Sequence, residues 1–539
     1  MAVGCALNAK LDNKKYRVYC IIGDGEHDEG SVWESVMSAA HYKLDNLVAI
    51  VDNNGLQIDG STDDVMCLGS LCQKYKAFGW NVIEIDGHDM DQIIDSFEKA
   101  RTLTGKPTVI IAETVKGKGV SYAENSVGYH GVAPKDGRTG DESLDKALAD
   151  IGAKGFTREK VDRLLNIAQD YQSDIDSNLK KNMPKFSRDY WWNSQDLMKV
   201  RMEATRTGFG RALEEMGEDD RIVAHGADIT SSIKMNMFYE NHPERKNRFF
   251  SVGIAEANML EIASGFAREG KISFVGSYGV FATGRAWDQI RTTVCYNNLN
   301  VKIADAHGGI SVGPDGATHQ ALEEIAVMAC LPNMTVVVPC DSNETYRITK
   351  SVAYKDGPAV IRYARESTPL VTSDSTPYEF AKALVIRFRK ETDHFIDAFE
   401  WILADDYAPE DEDITIAACG PMVPEAMRAS WILKQEFDID ARILNIHTVK
   451  PIDEKAVLKA AYETKAILTC EEHQVGGFGN IIAGIIARKK EYNTPFILDM
   501  IGVPDSFGKS GGPWELMKDF GLIAEHIAQK AKELLKKKG

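Results

Sequence analysis

No Cys-x-x-Cys occurs in the 539-residue chain, and its nine cysteines fall without a paired framework. That pattern excludes a disulfide-built secreted scaffold and gives no reason to expect structural zinc. A basic excess is missing too: 63 Lys and Arg stand against 80 Asp and Glu, for a formal net charge of -17. Nucleic acid and acidic lipid surfaces need dense positive charge on their partner, so neither is expected here. The one lysine cluster, "KELLKKKG" at the C-terminus, reads as a solvated helix end. No apolar run reaches the ~18 residues of a membrane helix. The opening "MAVGCALNAKLDNKKY" has no basic region followed by a long apolar core. Short-period repeats and low-complexity tracts are absent as well. A soluble, cytoplasmic protein is the expectation.

What is present is a 44% hydrophobic composition in a chain too long for a single core. The length suggests roughly three domains of ~100 to 200 residues. Short β-branched runs such as "YRVYCII", "NLVAIVDN", "PTVIIAET", "RIVAHGAD", "NVKIADAH", "MTVVVPC", "ITIAACG" and "AILTCEE" alternate with helical patterns. Such alternation predicts parallel sheets covered by helices. A polar stretch, "SNLKKNMPKFSRDYWWNSQDL", separates a first α/β unit from a second that starts near Lys199. A second break falls in "RFRKETDHFIDAFEWILADDYAPEDED", ahead of a strand at Ile414. The expected division is 1–185, 199–372, an insert or linker at 373–412, and 413–539. Within the insert, Phe395, Ile396, Phe399 and Trp401 fit one helical face docked on the third domain.

The chemistry starts at "IIGDGEHDEGSVWESV", where an apolar run ends on Gly23-Asp24-Gly25. In an open parallel sheet, ligands sit beyond the carboxyl ends of strands. Glycine lets a backbone come close to a phosphate, and a carboxylate oxygen suits magnesium or calcium. Alone, this tripeptide is an ordinary turn. About thirty residues on, by the spacing of successive strand ends in such sheets, comes "VDNNGLQIDG". Asn54 offers an amide oxygen there, and the turn at Gly55 can aim the Leu56 carbonyl inward. Together the two loops supply carboxylate, amide and carbonyl oxygens, the mixed shell of a hard cation.

The whole stretch "GDGEHDEGSVWESVMSAAHYKLDNLVAIVDNNGLQIDG" resembles the thiamine-diphosphate motif of the transketolase family. The resemblance implies three consecutive open, mostly parallel-sheet α/β domains, the first incomplete at its N-terminus. It also implies that Asp24, Asn54 and the Leu56 carbonyl hold Mg2+ or Ca2+, which bridges to the diphosphate, with Gly25 against it. Glu29 and Glu34 match acidic residues toward a dimer interface, Glu29 beside the cofactor; a solvated helix face is the alternative for both. "TVKGKGVSYAENSVGYHGVAP" is similar to the segment carrying an active-site histidine, here His130. In "SVGIAEANMLEIASGFA", Glu256 matches the cofactor-activating glutamate. "VGSYGVFATGRAWDQIR" points to Tyr278 and Phe281 as the rings around the aminopyrimidine. "ADAHGGISVGPDGATHQALEE" resembles the substrate loop, with His307, Asp315 and His319 in place. "RYARESTP" puts Arg365 at the substrate-phosphate position, and Arg201 and Ser232 fall where other phosphate contacts lie.

The implied activity is transfer of a two-carbon ketol unit from a ketose phosphate to an aldose phosphate by a homodimer, with His130, His307 and His319 sharing the proton transfers. The family has more than a hundred residues, on the order of one small domain, ahead of the segment that "MAVGCALNAK" resembles, so the chain reads as N-terminally short. Two other readings stand beside the first: a relative acting on an unusual sugar, and a non-catalytic, transketolase-like subunit or scaffold.

Overall fold

The computed structural model describes residues 1–134, 142–152, 158–488 and 496–538. The chain divides into two compact units, Met1–Asp170 with the short pieces Ala227–Ile229 and Ser251–Ala255, and the remainder.

The first unit is built on four parallel strands in the order Val18–Gly23, Leu47–Asn53, Thr108–Glu113, Asn81–Asp86. Its central strands read "LVAIVDN" and "TVIIAE" and are apolar on both faces, as helices packed on both sides require. Val36, Ala39, Val51, Tyr75, Trp80 and Ile111 make the larger core, and Val48, Ile83, Ala100 and Ile110 a smaller one. Because all four strands run the same way, the ends Gly23 and Asn53 open onto one rim. Asp24 follows the first end and Asn54 the second.

The second unit holds two larger sheets. One has seven strands, in the order Thr448–Lys450, Thr335–Val337, Ala359–Tyr363, Val301–Ala306, Ile272–Tyr278, Ile222–Gly226, Phe249–Ser251. Its five central strands pair in parallel, whereas Thr448–Lys450 joins the edge antiparallel. That edge strand comes from the C-terminal third of the chain, so the two sheets of this unit are stitched by backbone bonds. The other sheet has six strands, Phe399–Leu403, Leu384–Phe388, Ala441–Asn445, Ile414–Ala418, Ala466–Gln474, Ile497–Val503. Both large sheets are open and mostly parallel, which bears out the expected α/β architecture.

The stretch read as an insert differs from expectation. Phe395, Ile396, Phe399 and Trp401 do not share a helical face. Ile396–Ala398 is a single 3-10 turn, and Phe399–Leu403 is a strand paired antiparallel with Leu384–Phe388. The stretch therefore completes the six-stranded sheet. Its docking is as expected: the Phe395 ring stacks on Trp431 at 5.4 Å with a 10° tilt, and both are fully buried. The polar segment before Lys199 also lies on this core, where Trp192 Nε1 donates to Glu425 at 2.5 Å and Tyr190 donates to Glu436 at 2.8 Å.

Candidate active site

Each unit carries its own cluster of candidate residues. In the first, Asp24 is 2% exposed and sits at the carboxyl end of Val18–Gly23. Its carboxylate accepts the Gly25 amide at 2.8 Å and the Gly55 amide at 2.5 Å, which ties the two loops together. Gly55 has φ +72°, a conformation that favours glycine, and the Asn54 Oδ1 accepts from the Leu56 amide at 3.0 Å. Leu56 then starts a short hairpin with Gly60–Ser61. His27 braces the loop from below: Nδ1 lies 2.9 Å from the Gly23 carbonyl, and Nε2 2.9 Å from the Tyr75 hydroxyl. A Cβ added at Gly25 would stand 3.1 Å from the Gln57 Cβ.

Burial pushes the Asp24 carboxyl pKa up, with Asp52 adding to the effect and the Gly55 and Gly25 amides and His27 opposing it. No lysine or arginine is among those influences. A buried carboxylate without a cationic partner is costly, and a divalent cation removes that cost. No group of three His, Cys, Asp or Glu side chains converges for a metal among the described residues. The donors on offer are thus oxygens of mixed kind, Asp24, Asn54 and backbone, and this set fits Mg2+ or Ca2+ rather than zinc.

Two further acids in this unit carried no role in the sequence reading. Asp228 accepts from the Ile58 and Asp59 amides at 3.2 and 3.0 Å, and burial pushes its pKa up to about 6. Asp28 accepts from Gln57 at 3.3 Å, and its other oxygen is buried without a partner. Asp28 stands inside the quoted "GDGEHDEG" stretch and Asp228 ends the run "RIVAHGAD", but neither position alone told which amides it would meet. His130 is half-buried after the turn Val127–Tyr129, its Nδ1 unpartnered and its pKa lowered by burial and then by Lys116. Glu29 precedes the helix Gly30–His41, and Glu34 is exposed on it.

In the second unit the candidates gather at the carboxyl ends of neighbouring parallel strands, where the topology places ligands. Tyr278 ends its strand, and His307 follows the next at φ +60°. A left-handed backbone at a non-glycine costs about 1–3 kcal/mol and is concentrated at functional sites. The Tyr278 ring stacks on His307 at 4.1 Å and lies 6.0 Å from Phe281. His319 meets both aromatic rings edge-on, at 5.7 and 5.2 Å. Ser232 Oγ lies 3.4 Å from both the Tyr278 hydroxyl and His307 Nε2. Phe281 sits in a π-helical segment, Val280–Arg285, a geometry frequent at functional sites.

Charge is arranged around this group. The Arg365 guanidinium pairs with Asp315 at 2.7 Å. Arg206 donates to the Ser232 carbonyl at 2.7 Å, and its Nε is buried with no partner. Burial lowers the Arg206 pKa, and the nearby Arg365 lowers it further. His307 is fully buried and held well below the usual imidazole range, first by burial, then by Arg206, Arg365 and His319. Two like charges beside a neutral histidine, one with an unused donor, make a slot for an anion. Arg201 takes no part: its side chain is 76% exposed and pairs with Glu203 at 3.3 Å. Arg206, five residues further on in "RMEATRTGFG", occupies the cluster instead. Glu256 opens the helix Glu256–Arg268 and is buried. Ser277 Oγ donates to it at 3.4 Å, and Arg285 lies 3.3 Å away.

Comparison with known proteins agrees along the length of the chain. Residues 8–174 match the family described as "Transketolase, thiamine diphosphate binding domain". Residues 201–371 match "Transketolase, pyrimidine binding domain", and 406–527 "Transketolase, C-terminal domain". Human transketolase is 32% identical over 555 residues, covering 99% of this chain and 79% of that protein. Mouse transketolase-like protein 2 is 31% identical over 541 residues, with 99% and 79% covered. Among solved structures, a split-gene transketolase described as an inactive beta4 tetramer is 36% identical with TM-score 0.52, covering 62% of this chain and 98% of that one. Transketolase from Leishmania mexicana shares the fold at 22% identity and TM-score 0.51, covering 99% and 79%. With domain matches from end to end and relatives above 30% identity over nearly all of its length, the chain belongs to the transketolase family, whose thiamine-diphosphate-binding and pyrimidine-binding domains it carries.

Proposed function

We propose that this protein is a transketolase that moves a two-carbon ketol unit from a ketose phosphate to an aldose phosphate, using thiamine diphosphate and Mg2+ or Ca2+. The observation that carries the reading is the meeting of His307, His319, Tyr278 and Ser232 with two arginines, Arg206 and Arg365, at adjacent strand ends. Histidines beside an anion slot suit a polyhydroxylated substrate with a phosphate tail.

Thiamine diphosphate, when bound, supplies the electron sink that cleavage beside a ketone requires. Asp24, Asn54 and the Leu56 carbonyl hold the metal, and Gly25 leaves the backbone open to the diphosphate. Glu256 would hydrogen-bond the pyrimidine ring nitrogen, and Tyr278 and Phe281 would bound the space for that ring. His307, neutral because it is buried beside two guanidinium groups, accepts a proton from a substrate hydroxyl. His319 and His130 are the other proton carriers. Arg365, Arg206 and Ser232 take the phosphate, and Asp315 a hydroxyl. Glu29 and Glu34 face the partner in a homodimer. We place the protein in the cytoplasm, a reading supported by its cysteines, all free, and by the lack of any membrane-spanning helix among the described residues.

The test is a two-substrate assay with a phosphorylated ketose, a phosphorylated aldose, thiamine diphosphate and magnesium. Transfer of the two-carbon unit is expected, and Asp24→Ala should abolish it. Cofactor binding without transfer, followed by tryptophan fluorescence, would favour a non-catalytic family member.

A further inference from the structure

We propose that Glu472, on the strand Ala466–Gln474 of the C-terminal region, is a positioning residue that fixes the loop bearing His307, Asp315 and His319. The inference rests on the reading of that loop as the substrate loop. Glu472 is 1% exposed, and its Oε1 accepts the Ser311 amide at 2.7 Å. The same oxygen lies beneath Gly309: a Cβ there would come within 2.2 Å of it, and Gly309 has φ +96°. Carboxylate and turn are therefore fitted to each other, and only glycine permits the approach.

The backbone around Glu472 is anchored to the same place. The buried Arg362 donates to the Glu472 carbonyl at 2.7 Å, and the Gln474 amide donates to the Leu322 carbonyl at 2.9 Å. Ala321 in turn receives the Gly309 amide at 2.8 Å. At the far end of the loop, Gln320 Nε2 donates to the Ile310 and Lys509 carbonyls at 3.1 and 3.0 Å. The loop between His307 and Gln320 is thus gripped at its start by Glu472 and at its end by the 509 segment, both from the C-terminal region. Of the contacts from the C-terminal region, the Glu472 carboxylate is the one that reaches the turn through a side chain. The bond satisfies a buried amide, and its loss leaves the Ser311 N–H unsatisfied, which costs more than an exposed hydrogen bond would.

Hydrogen exchange followed by mass spectrometry on the full chain tests this without substrate. Glu472→Ala should speed exchange of the 307–320 amides by about tenfold or more, with the rest of the molecule unchanged. Glu472→Gln, which keeps an oxygen for Ser311, should stay near the wild type. Should the alanine variant fail to fold, Glu472→Asp retains the charge but withdraws the carboxylate by one methylene, and the same loosening is expected. In kinetics, loosening should raise KM for a phosphorylated ketose while leaving affinity for thiamine diphosphate unchanged, and Glu472→Gln should restore KM. Wild-type protection of 307–320 in the alanine or aspartate variant overturns the proposal, as does equal loosening in the glutamine variant. Failure of the wild type to transfer a ketol unit would overturn the functional reading instead, because the exchange result does not depend on turnover.

Discussion

At the scale of single residues, the anion slot makes the sharpest distinction, because three arginines compete for one role. Arg206 and Arg365 stand together, while Arg201 points to Glu203. Replacing either of the first pair by alanine should raise KM for phosphorylated sugars by tenfold or more, a loss of about 1.5–3 kcal/mol for a charge-assisted bond. Unphosphorylated sugars should be handled almost as before. Arg201→Ala should change neither; steady-state kinetics with both substrate types separates the three. His307 gives a second prediction. Its folded pKa is depressed, so the neutral form is the one the fold favours. The stability it contributes is present above the ordinary imidazole pKa of about 6.5 and is lost as pH falls below that value, where the unfolded chain takes up the proton first. Its ring resonances should show no midpoint near pH 6.5 in an NMR titration, so an acid limb of activity centred there would belong to another group. A titration of His307 near pH 6.5 would reject this account.

At the scale of elements, strand ends explain what the sequence disclosed and what it hid. Runs such as "NLVAIVDN" and "NVKIADAH" announce their strands because both faces are buried; Asn54 was found at such a strand end, whereas His307 was found through the resemblance of its loop to the family's. Arg206 was not: it lies in the first turn of the helix Thr205–Met216, and nothing in its neighbours distinguishes it from Arg201 until the strand ends are in place. The hairpin 384–403 was hidden by ambiguity of period. Phe395, Ile396 and Phe399 satisfy helical spacing, yet Phe399 and Trp401 alternate as a strand does. The acidic run behind them looked like a linker, but Glu410 and Glu412 are the counter-charges of Arg387, at 2.8 and 2.6 Å. Glu412 also pairs with Arg442 at 2.6 Å. Charge in that run is structure, not solvation. If the hairpin belongs to the core, Phe395→Ala should cost about 3–5 kcal/mol, read from the denaturation midpoint. A loss under ~1 kcal/mol, the scale of a surface substitution, would make it an appendage.

At the scale of the whole molecule, the proposal that both clusters serve one reaction can be tested. Asp24 and the loops it joins lie in the first compact unit, and Glu256 with the aromatic and histidine cluster in the second. Asp24→Ala should abolish metal-dependent cofactor binding in a titration, because neutral oxygens alone hold a divalent cation too weakly. Glu256→Gln should still bind thiamine diphosphate, since the metal contacts are intact. It should exchange the thiazolium C2 proton orders of magnitude more slowly, because an amide has no shared proton to give the ring nitrogen. The two defects are separable, and this permits a test of the homodimer. If each reaction centre draws Asp24 from one subunit and Glu256 from the other, a mixed dimer of the two variants holds one centre with both defects and one with neither. Subunits exchanged by mild dissociation, with the mixed species isolated before assay, should then recover activity approaching half that of the parent. A mixed dimer as inactive as both variants would show that each chain completes its own centre, whereas wild-type proton exchange in Glu256→Gln would remove Glu256 from the chemistry whatever the mixing gave.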